Sequence, residues 1–292
     1  MTARRNQYGL IGDPVSHSLS PFIMKRAFAE CGIDATYSVR PTSPIDTAAT
    51  IRDMRSQGFA GVNVTYPLKE IVLGSVDRMT PDVVAIGAAN ILLFDEGVVS
   101  HNTDAAGTAV ALETIEKIGL DGKRVVIFGA GGAGRAAAYG LLEAGVASVA
   151  FVVRSTSEAK KKTKGIEVAF PDHGVGCYDH SDKAECGKRV SEADIVINAT
   201  PIGMNQGDAA PIDKAWIHSH HTVFDFVYGT HTTRLQQTAE LAGARSLDGV
   251  SLLVAQAQSG FYFWTGEEFS VRDMFSAVQD HIKNKSVTDS GI

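Results

Sequence analysis

A glycine-rich turn in the middle of the chain places the strongest constraint on the fold. The segment G-A-G-G-A-G, Gly129 to Gly134, fits the pattern G-x-G-x-x-G and directly follows the apolar stretch V-V-I-F. A helical run, Ala136 to Leu142, comes next, so the turn joins a buried strand to a helix. The glycines permit a tight turn, close approach of a pyrophosphate and close packing of helix on strand. Because the N-terminus of the helix attracts phosphates, the segment predicts a dinucleotide-binding unit.

The end of the next strand bears on which dinucleotide is bound. It reads V-V-R-S-T-S-E, with Arg154 at the position where an acidic residue would bind the ribose hydroxyls of NAD. An arginine there suits the 2′-phosphate of NADP, and Ser155 and Thr156 can donate to the same phosphate. The first acid, Glu158, comes later. The pattern therefore favours NADP over NAD.

The order of apolar runs predicts an α/β fold. After residue 104, strands at Val149 to Val153, Asp194 to Asn198 and Thr222 to Phe226 alternate with helical segments, which is typical of an open parallel sheet. The first hundred residues predict a smaller α/β unit with strands at Tyr8 to Gly12, Thr36 to Val39 and Phe59 to Thr65, a hairpin near Ile91 to Val99, and a helix with Ser20 as its N-cap. Further helices are predicted over Thr108 to Ile118, Leu252 to Trp264 and Val271 to Lys283.

Composition limits the partners of the chain. With 292 residues, a net charge of −6 and 44% hydrophobic residues, it is typical of a soluble protein and not of a nucleic-acid or anionic-membrane binder. The amino terminus lacks the apolar run of a secretory signal, and three cysteines are too few for a disulfide framework. We therefore expect a cytoplasmic protein. The loosely spaced His173, Cys177, His180 and Cys186 lack paired C-x-x-C spacing, so no metal site is predicted.

Polar side chains follow several predicted strands of the first half. They are Ser16, Ser18, Ser20, Thr65, Lys69, Asn90, Asn102, Thr103 and Asp104. Hydroxyls, amides, one cation and one carboxylate suit a small polyhydroxylated acid, and a lysine with an aspartate can move the proton that accompanies a hydride. Structural roles compete with this interpretation: Ser20 and Asn102-Thr103-Asp104 are also good helix caps, and an exposed Lys69 would be ordinary.

A set of motifs, taken together, resembles the shikimate dehydrogenase family, including its quinate-using relatives. The motifs are S-H-S-L-S-P, N-V-T-Y-P-L-K, G-A-A-N, N-T-D, G-A-G-G-A-G, N-A-T-P-I-G-M and D-G-V-S-L-L-V-A-Q-A, in this order from about Tyr8 to Trp264. The resemblance implies two α/β domains. A substrate domain would comprise residues 1–105 plus 249–292, and a Rossmann-type NAD(P)-binding domain would comprise residues 106–248. It also implies reversible oxidation of shikimate to 3-dehydroshikimate. We expect a monomer or homodimer that binds a small-molecule substrate, shikimate or quinate, and no nucleic acid or membrane.

The resemblance assigns roles position by position. Lys69 and Asp104 correspond to the catalytic residues, and we expect Lys69 to be the acid/base with Asp104 as its partner, although the sequence leaves the reverse open. The substrate-binding positions are Ser18, Ser20, Thr65, Asn90, Tyr228 and Gln256. The cofactor-binding positions are Gly129, Ala130, Gly131, Gly132, Ala133, Gly134, Arg154, Ser155, Thr200 and Gly249.

Departures from the family pattern keep alternatives open. The family's N-R-T-x-x-R, which grips the 2′-phosphate, is V-R-S-T-S-E here, so an acid replaces the second arginine and NAD remains an alternative cofactor. Tyr66, Leu68 and the segment D-F-V-Y-G-T-H-T-T also differ, which makes quinate or an amino analogue an alternative substrate. A dinucleotide-binding sensor without turnover is the third interpretation, and the Lys69 and Asp104 pair argues against it because binding alone needs no acid/base.

Overall fold

The chain forms two six-stranded sheets in a computed structural model that describes residues 6–229 and 231–289. Helices flank both sheets, and more helices follow the second sheet in sequence. The predicted α/β class is confirmed. None of the helices in the described ranges is long and apolar enough to cross a membrane.

The first sheet is mixed. Its strands are β1 (Gln7–Gly12), β2 (Thr36–Pro41), β3 (Gly61–Val64), β4 (Arg78–Met79), β5 (Ile91–Phe94) and β6 (Val98–His101), in the spatial order β2-β1-β3-β5-β6-β4. β1 pairs in parallel with both β2 and β3, whereas β5 is antiparallel to β3 and β6. Because β1 and β3 are parallel neighbours, the loops that follow them lie side by side at one edge of the sheet.

The second sheet is entirely parallel. Its strands are β7 (Arg124–Phe128), β8 (Ser148–Val153), β9 (Gly174–Asp179), β10 (Ile195–Asn198), β11 (Thr222–Asp225) and β12 (Arg245–Leu247), in the order β12-β11-β10-β7-β8-β9. Relative to its first strand, this is the 3-2-1-4-5-6 order of dinucleotide-binding folds. The order reverses between β7 and β10, so the glycine-rich turn after β7 lies at the switch point where ligands bind in such sheets.

The helices complete both layers. They are α1 (Ser20–Glu30), α2 (Thr47–Ser56), α3 (Pro81–Ile86), α4 (Thr103–Val110), α5 (Gly132–Glu143), α6 (Thr156–Ala169), α7 (Lys183–Ser191), α8 (Arg234–Leu241), α9 (Val250–Thr265) and α10 (Val271–Asp289). Short 3₁₀ helices span Ile71–Ser75 and Lys214–Trp216, and one π-helical turn, Ala111–Ile115, continues α4.

Helix α4 lies between the two halves of the molecule. A Cβ at Gly107 would lie 2.8 Å from the Gln256 backbone nitrogen, so α4 packs closely on α9. A Cβ at Gly140 would overlap the Ala105 carbonyl oxygen, so α4 packs equally closely on α5. Two glycines therefore let one helix contact its neighbours on both sides.

The carboxy-terminal helices share a core with the first sheet. One buried cluster combines Tyr8 of β1 and Phe28 of α1 with Val254 and Phe261 of α9 and Val278 of α10. The core of the second sheet has its own buried cluster, built around β7, β8, β10 and α5. The first layer of the fold is thus completed by the last part of the chain.

Several sequence predictions differ from the structure. Ser20 is not the N-cap of α1: Leu19 is the N-cap, and Ser18 Oγ accepts the Ser20 N–H at 3.2 Å. The helix predicted from Thr108 begins at Thr103, because Asn102 caps it. The strands β4, β9 and β12 were not predicted, since β4 and β12 are very short and β9 contains two glycines.

Candidate active site

Lys69 and Asp104 form an ion pair where the loops of the first sheet meet α4. Lys69 Nζ lies 2.6 Å from Asp104 Oδ2, and the two side chains are only 20% and 7% exposed. Lys69 lies in the turn after β3. In this turn the Leu68 N–H donates to the Thr65 carbonyl oxygen at 2.9 Å. The Ala89 N–H donates to the Lys69 carbonyl oxygen at 2.8 Å and fixes the backbone of the lysine itself. The alternative of an exposed, ordinary lysine is therefore wrong.

Asn90 orients the aspartate of this pair. Its Nδ2 donates to Asp104 Oδ1 and to Thr103 Oγ1, both at 2.9 Å, and its Oδ1 accepts the Thr103 N–H at 2.7 Å. The last bond determines which way the amide faces, so that its donor side points to the carboxylate. Gln256 of α9 joins the group through its Oε1, which accepts from Asn90 Nδ2 at 3.3 Å. Lys69, Asn90, Asp104 and Gln256 thus lie together as the sequence predicts.

The segment Asn102-Thr103-Asp104 caps a helix and also supplies the site. Asn102 Oδ1 accepts the Asp104 N–H at 3.1 Å, and Asn102 Nδ2 donates to the Ala88 carbonyl oxygen at 2.8 Å. Capping fixes the first turn of α4, so Asp104 reaches Lys69 from a rigid helix start. The capping interpretation is therefore confirmed, and capping leaves the Asp104 carboxylate in the ion pair with Lys69.

A second set of polar side chains comes from α1 and from strands β2 and β3 of the first sheet. Ser20 is 8% exposed, and the Tyr37 hydroxyl donates to Asn63 Oδ1 at 2.7 Å. Burial raises the pKa of the Tyr37 phenol, while a hydrogen bond with Ser20 opposes this rise and the nearby Tyr228 adds to it. Burial likewise raises the pKa of Tyr228. Tyr37 and Tyr228 also pack against the same buried cluster.

Tyr37 and Asn63 were missed by sequence reasoning. Asn63 had a usable signal, because it is two residues before Thr65 and strand residues two apart face the same side. Thr65 itself packs against the end of β1: a Cβ at Gly12 would overlap its methyl group. Tyr37 carried no comparable signal, since its partner lies on another strand.

The glycine-rich turn has the geometry that a dinucleotide phosphate requires. Gly129 has φ 99°, which favours glycine, and a Cβ at Gly134 would overlap the Gly129 carbonyl oxygen. Gly131 is the N-cap of α5, and no side chain among the described residues caps it, which leaves backbone N–H groups free for phosphate. A Cβ at Gly131 would meet nothing within 4 Å in the described part of the chain, so there is open space above the turn.

The other predicted cofactor positions follow strands of the second sheet. A Cβ at Gly129 would lie 3.0 Å from Thr200 Cγ2, which places Thr200, after β10, beside the turn. A Cβ at Gly249 would overlap the Phe226 carbonyl oxygen at the end of β11. Arg154 and Ser155 follow β8, the strand next to β7, and both are exposed. Ser155 also caps α6 by accepting the Glu158 N–H at 3.5 Å.

The glycine-rich turn adjoins Lys69. A Cβ at Gly132 would lie 3.3 Å from Lys69 Cβ and 3.0 Å from Ala88 Cβ. The first turn of α5 therefore borders the Lys69–Asp104 ion pair. Among the described residues, no group of three or more His, Cys, Asp or Glu side chains is placed to hold a metal ion; Cys177 lies on β9 and Cys186 on α7.

Comparison with known proteins agrees with this arrangement. A family model described as the shikimate dehydrogenase substrate binding domain matches residues 10–92. A shikimate dehydrogenase (NADP(+)) of Halorubrum lacusprofundi is 37% identical over 283 residues, which cover 94% of this chain and 99% of that protein.

Solved structures give the same result. Shikimate 5-dehydrogenase of Listeria monocytogenes, in complex with shikimate and NAD, has a TM-score of 0.84 at 28% identity, covering 95% of this chain and 98% of that one. Quinate dehydrogenase of Corynebacterium glutamicum, in complex with NAD, has a TM-score of 0.83 at 28% identity, covering 94% and 98%. With a full-length relative above 30% identity and the same fold throughout, the chain belongs to the shikimate dehydrogenase family.

Proposed function

We propose that the protein is an NADP-dependent shikimate dehydrogenase that interconverts shikimate and 3-dehydroshikimate. The observation that carries the proposal is the buried Lys69–Asp104 pair, 2.6 Å apart, beside a glycine-rich turn built for a dinucleotide phosphate. Relatives named for this activity and for NADP(+) support the substrate and the cofactor.

The chemistry divides between the cofactor and the protein. When bound, the oxidised cofactor NADP+ would accept the hydride in the oxidation, and the reduced cofactor NADPH would donate it in the reverse reaction. The residues of this chain bind and orient the two molecules and manage the proton of the reacting hydroxyl. The free N–H groups at the start of α5 suit the pyrophosphate, and Arg154 with Ser155 at the end of β8 suits the 2′-phosphate.

Lys69 is the proposed acid/base. During oxidation, the neutral amine at Lys69 Nζ takes the proton of the substrate hydroxyl while the carbon that bears this hydroxyl loses a hydride. During reduction, the ammonium returns a proton to the carbonyl oxygen. The Asp104 carboxylate orients the lysine through the 2.6 Å contact between Oδ2 and Nζ. Asn90 leaves Asp104 Oδ2 to the lysine by occupying Oδ1 at 2.9 Å.

The substrate has a polar and an acidic end, and the site offers partners for both. Asn90, Asp104 and Gln256 are suited to ring hydroxyls, because the amides can donate to and accept from hydroxyls and the carboxylate can accept from them. Ser18, Ser20 and Thr65 are suited to the carboxylate, and Tyr228 closes the same side. Asn63, whose Oδ1 is engaged by Tyr37 at 2.7 Å, has its Nδ2 available as a further donor.

The packing supports the proposed domain division. Residues 1–105 and 249–292 would form the substrate domain and residues 106–248 the cofactor domain. The core shared by β1, α1, α9 and α10 supports the inclusion of the carboxy-terminal helices in the first domain. Hinge closure over the bound substrate is expected of a site between two such units. We place the enzyme in the cytoplasm as a monomer or homodimer.

A second candidate is quinate dehydrogenase. The structural likeness to a quinate dehydrogenase, with a TM-score of 0.83, is nearly the same as that to a shikimate enzyme, with 0.84. Tyr66, which is 64% exposed and three residues before Lys69, is among the departures from the usual family pattern. Quinate differs from shikimate by a hydroxyl on a saturated ring carbon, so small changes near the lysine could decide between them.

A steady-state assay that crosses shikimate and quinate with NADP and NAD tests these proposals together. We expect the highest kcat/KM for shikimate with NADP. The absorbance of the reduced nicotinamide measures the turnover. A higher value for quinate would replace the proposed substrate and keep the mechanism. If neither acid were oxidised, while cofactor still bound in a fluorescence titration, the sensor interpretation would stand instead.

A further inference from the structure

Arg135 is the largest fully buried side chain in the described part of the chain, with 1% exposure. It belongs to the first turn of α5, directly after the glycine-rich turn. Its Nε donates to the Ile86 carbonyl oxygen at 2.6 Å and its Nη2 to that of Gly87 at 3.1 Å. Its Nη1 donates to the Ala130 carbonyl oxygen at 2.7 Å and to Glu70 Oε1 at 3.0 Å. A buried cation is tolerated because its donors are used in this way.

Glu70 is the carboxylate that balances this charge, and it directly follows Lys69. Its second oxygen, Oε2, accepts from Lys162 Nζ of α6 at 2.9 Å. Burial alone would raise the pKa of the Glu70 carboxyl, but the bonds and charges of Lys162 and Arg135 lower it below its usual value. A charged carboxylate is thus held by cations from two helices that flank the second sheet.

These bonds join the elements on which the reaction depends. Arg135 contacts the cofactor turn through Ala130, the loop before Asn90 through Gly87, and the turn of Lys69 through Glu70. None of the three bonds involves an atom of the Lys69–Asp104 pair. The arrangement therefore acts on the catalytic lysine through the backbone next to it.

We propose that Arg135 and Glu70 are positioning residues, which hold the turn of Lys69 in register with the cofactor turn. The inference rests on the proposed function. Lys69 Nζ must reach both Asp104 and the reacting hydroxyl, and a displacement of about 1 Å lowers the rate of such a reaction by about a hundredfold. The Gly132 approach to Lys69, 3.3 Å from an added Cβ to Lys69 Cβ, shows how little space separates the two turns.

Glu70→Gln tests the role of the carboxylate charge. The amide keeps the size of the side chain and an acceptor oxygen, so folding should be retained. The interactions of residue 70 with Arg135 and Lys162 should weaken, because the negative charge is lost. We expect kcat to fall by about tenfold, with KM for shikimate and for NADP changed less than about twofold, since the groups that bind both molecules are intact. Lys162→Met, which leaves the Arg135 bond in place, should lower kcat by a smaller factor of about two to three.

Lys164→Gln is the matched control. Lys164 lies on the same helix as Lys162 and pairs only with Glu167 at 3.4 Å among the bonds of the described chain, and its side chain is 70% exposed. This variant should keep the wild-type kcat and KM. A control that fell as far as Glu70→Gln would show that charge on α6, and not positioning, determines the rate, and would overturn the inference.

Hydrogen–deuterium exchange provides a readout independent of activity. In Glu70→Gln, amides of the turn, such as Leu68 and Val72, should exchange faster, whereas those of β7 and β10 should not change. An equal kcat and unchanged exchange in the turn would overturn the inference, as would a tenfold rise in KM for NADP at constant kcat. A wild-type protein without turnover would instead overturn the proposed function, and the exchange data would still decide the positioning role.

Discussion

At the scale of the residue, the Lys69 ammonium lies 2.6 Å from one oxygen of the Asp104 carboxylate. The other oxygen is bound by Asn90 at 2.9 Å, so removing the lysine leaves the aspartate partly satisfied and the pocket intact. The lysine can therefore be deleted to test the chemistry without losing the fold.

Lys69→Ala should abolish most of the turnover. Without the amine no positioned group takes the hydroxyl proton, and we expect kcat to fall by about a hundredfold or more, with a smaller change in KM for shikimate. Steady-state kinetics at saturating cofactor measures both. Lys123→Ala is a suitable control, because Lys123 pairs with Asp194 at the surface with 42% of its side chain exposed. A wild-type kcat in Lys69→Ala would end the assignment of this lysine.

His221 affects stability at low pH. It is 1% exposed, and its Nδ1 accepts the His218 N–H at 2.9 Å, so a proton on Nδ1 would break that bond. Burial, with a smaller contribution from His220, lowers the pKa of His221 to about 4. In the unfolded chain the histidine has a pKa of about 6.5, so below that pH it binds a proton that the folded state does not yet bind. Its stabilising effect is therefore complete above about pH 6.5 and is lost as the pH falls toward 4.

His221→Asn removes this titration and keeps an acceptor near the position of Nδ1. Between pH 7 and 5.5, we expect the free energy of unfolding to fall by about 1 kcal/mol more in the wild type than in the variant. Urea denaturation at the two pH values measures the difference. His220→Asn, at an exposed neighbour, removes only the smaller contribution to this pKa, so its loss of stability between the two pH values should stay close to that of the wild type. Parallel losses in the wild type and His221→Asn would contradict the prediction.

At the scale of the element, α4 connects the chemistry to the rest of the molecule. Asn102 caps its start, Asp104 lies in its first turn, and the π-helical turn Ala111–Ile115 ends it. Its close contacts with α5 and α9 are made by backbone at Gly140 and Gly107. Because backbone cannot rotate away as a side chain can, the position of Asp104 is set by these crossings.

Gly140→Ala should therefore disturb both stability and activity. The added methyl group would overlap the Ala105 carbonyl oxygen, and overpacking of this kind costs about 1–3 kcal/mol. We also expect kcat to fall, since Ala105 adjoins Asp104. Chemical denaturation and steady-state kinetics measure the two effects. Gly119→Ala, where a Cβ would meet nothing within 4 Å in the described ranges, should be neutral; equal stabilities in the two variants would contradict the crossing model.

At the scale of the whole molecule, the parts that were predicted from sequence are those with local signals. The strand V-V-I-F and the glycines after it specify their own conformation, and Lys69, Asn90, Asp104 and Gln256 stood in recognisable motifs. β12 has only three residues, too few for any periodicity, and was missed. The carboxy-terminal helices were predicted, although their packing against β1 rested on resemblance.

Long-range polar partners escaped sequence reasoning. Arg135 and Glu70 are 65 residues apart, and Tyr37 and Asn63 are 26 apart, so no spacing rule could pair them. Arg135 stands directly after the glycine-rich turn, and nothing in the sequence marks it as buried, because arginine is seldom buried. Its burial depends on hydrogen bonds to carbonyl oxygens from the other half of the molecule, and the position of these oxygens cannot be predicted from the sequence.

The shared core of the first sheet has a consequence for how the chain is made. Tyr8 and Phe28 leave the ribosome well before Phe261 and Val278, on which they pack. A chain emerging at roughly 5–20 residues per second can complete its parallel second sheet while the first sheet still lacks its covering helices. Synthesis of α9 and α10, and not the emergence of the first strands, is then the event that covers the apolar face of the first sheet.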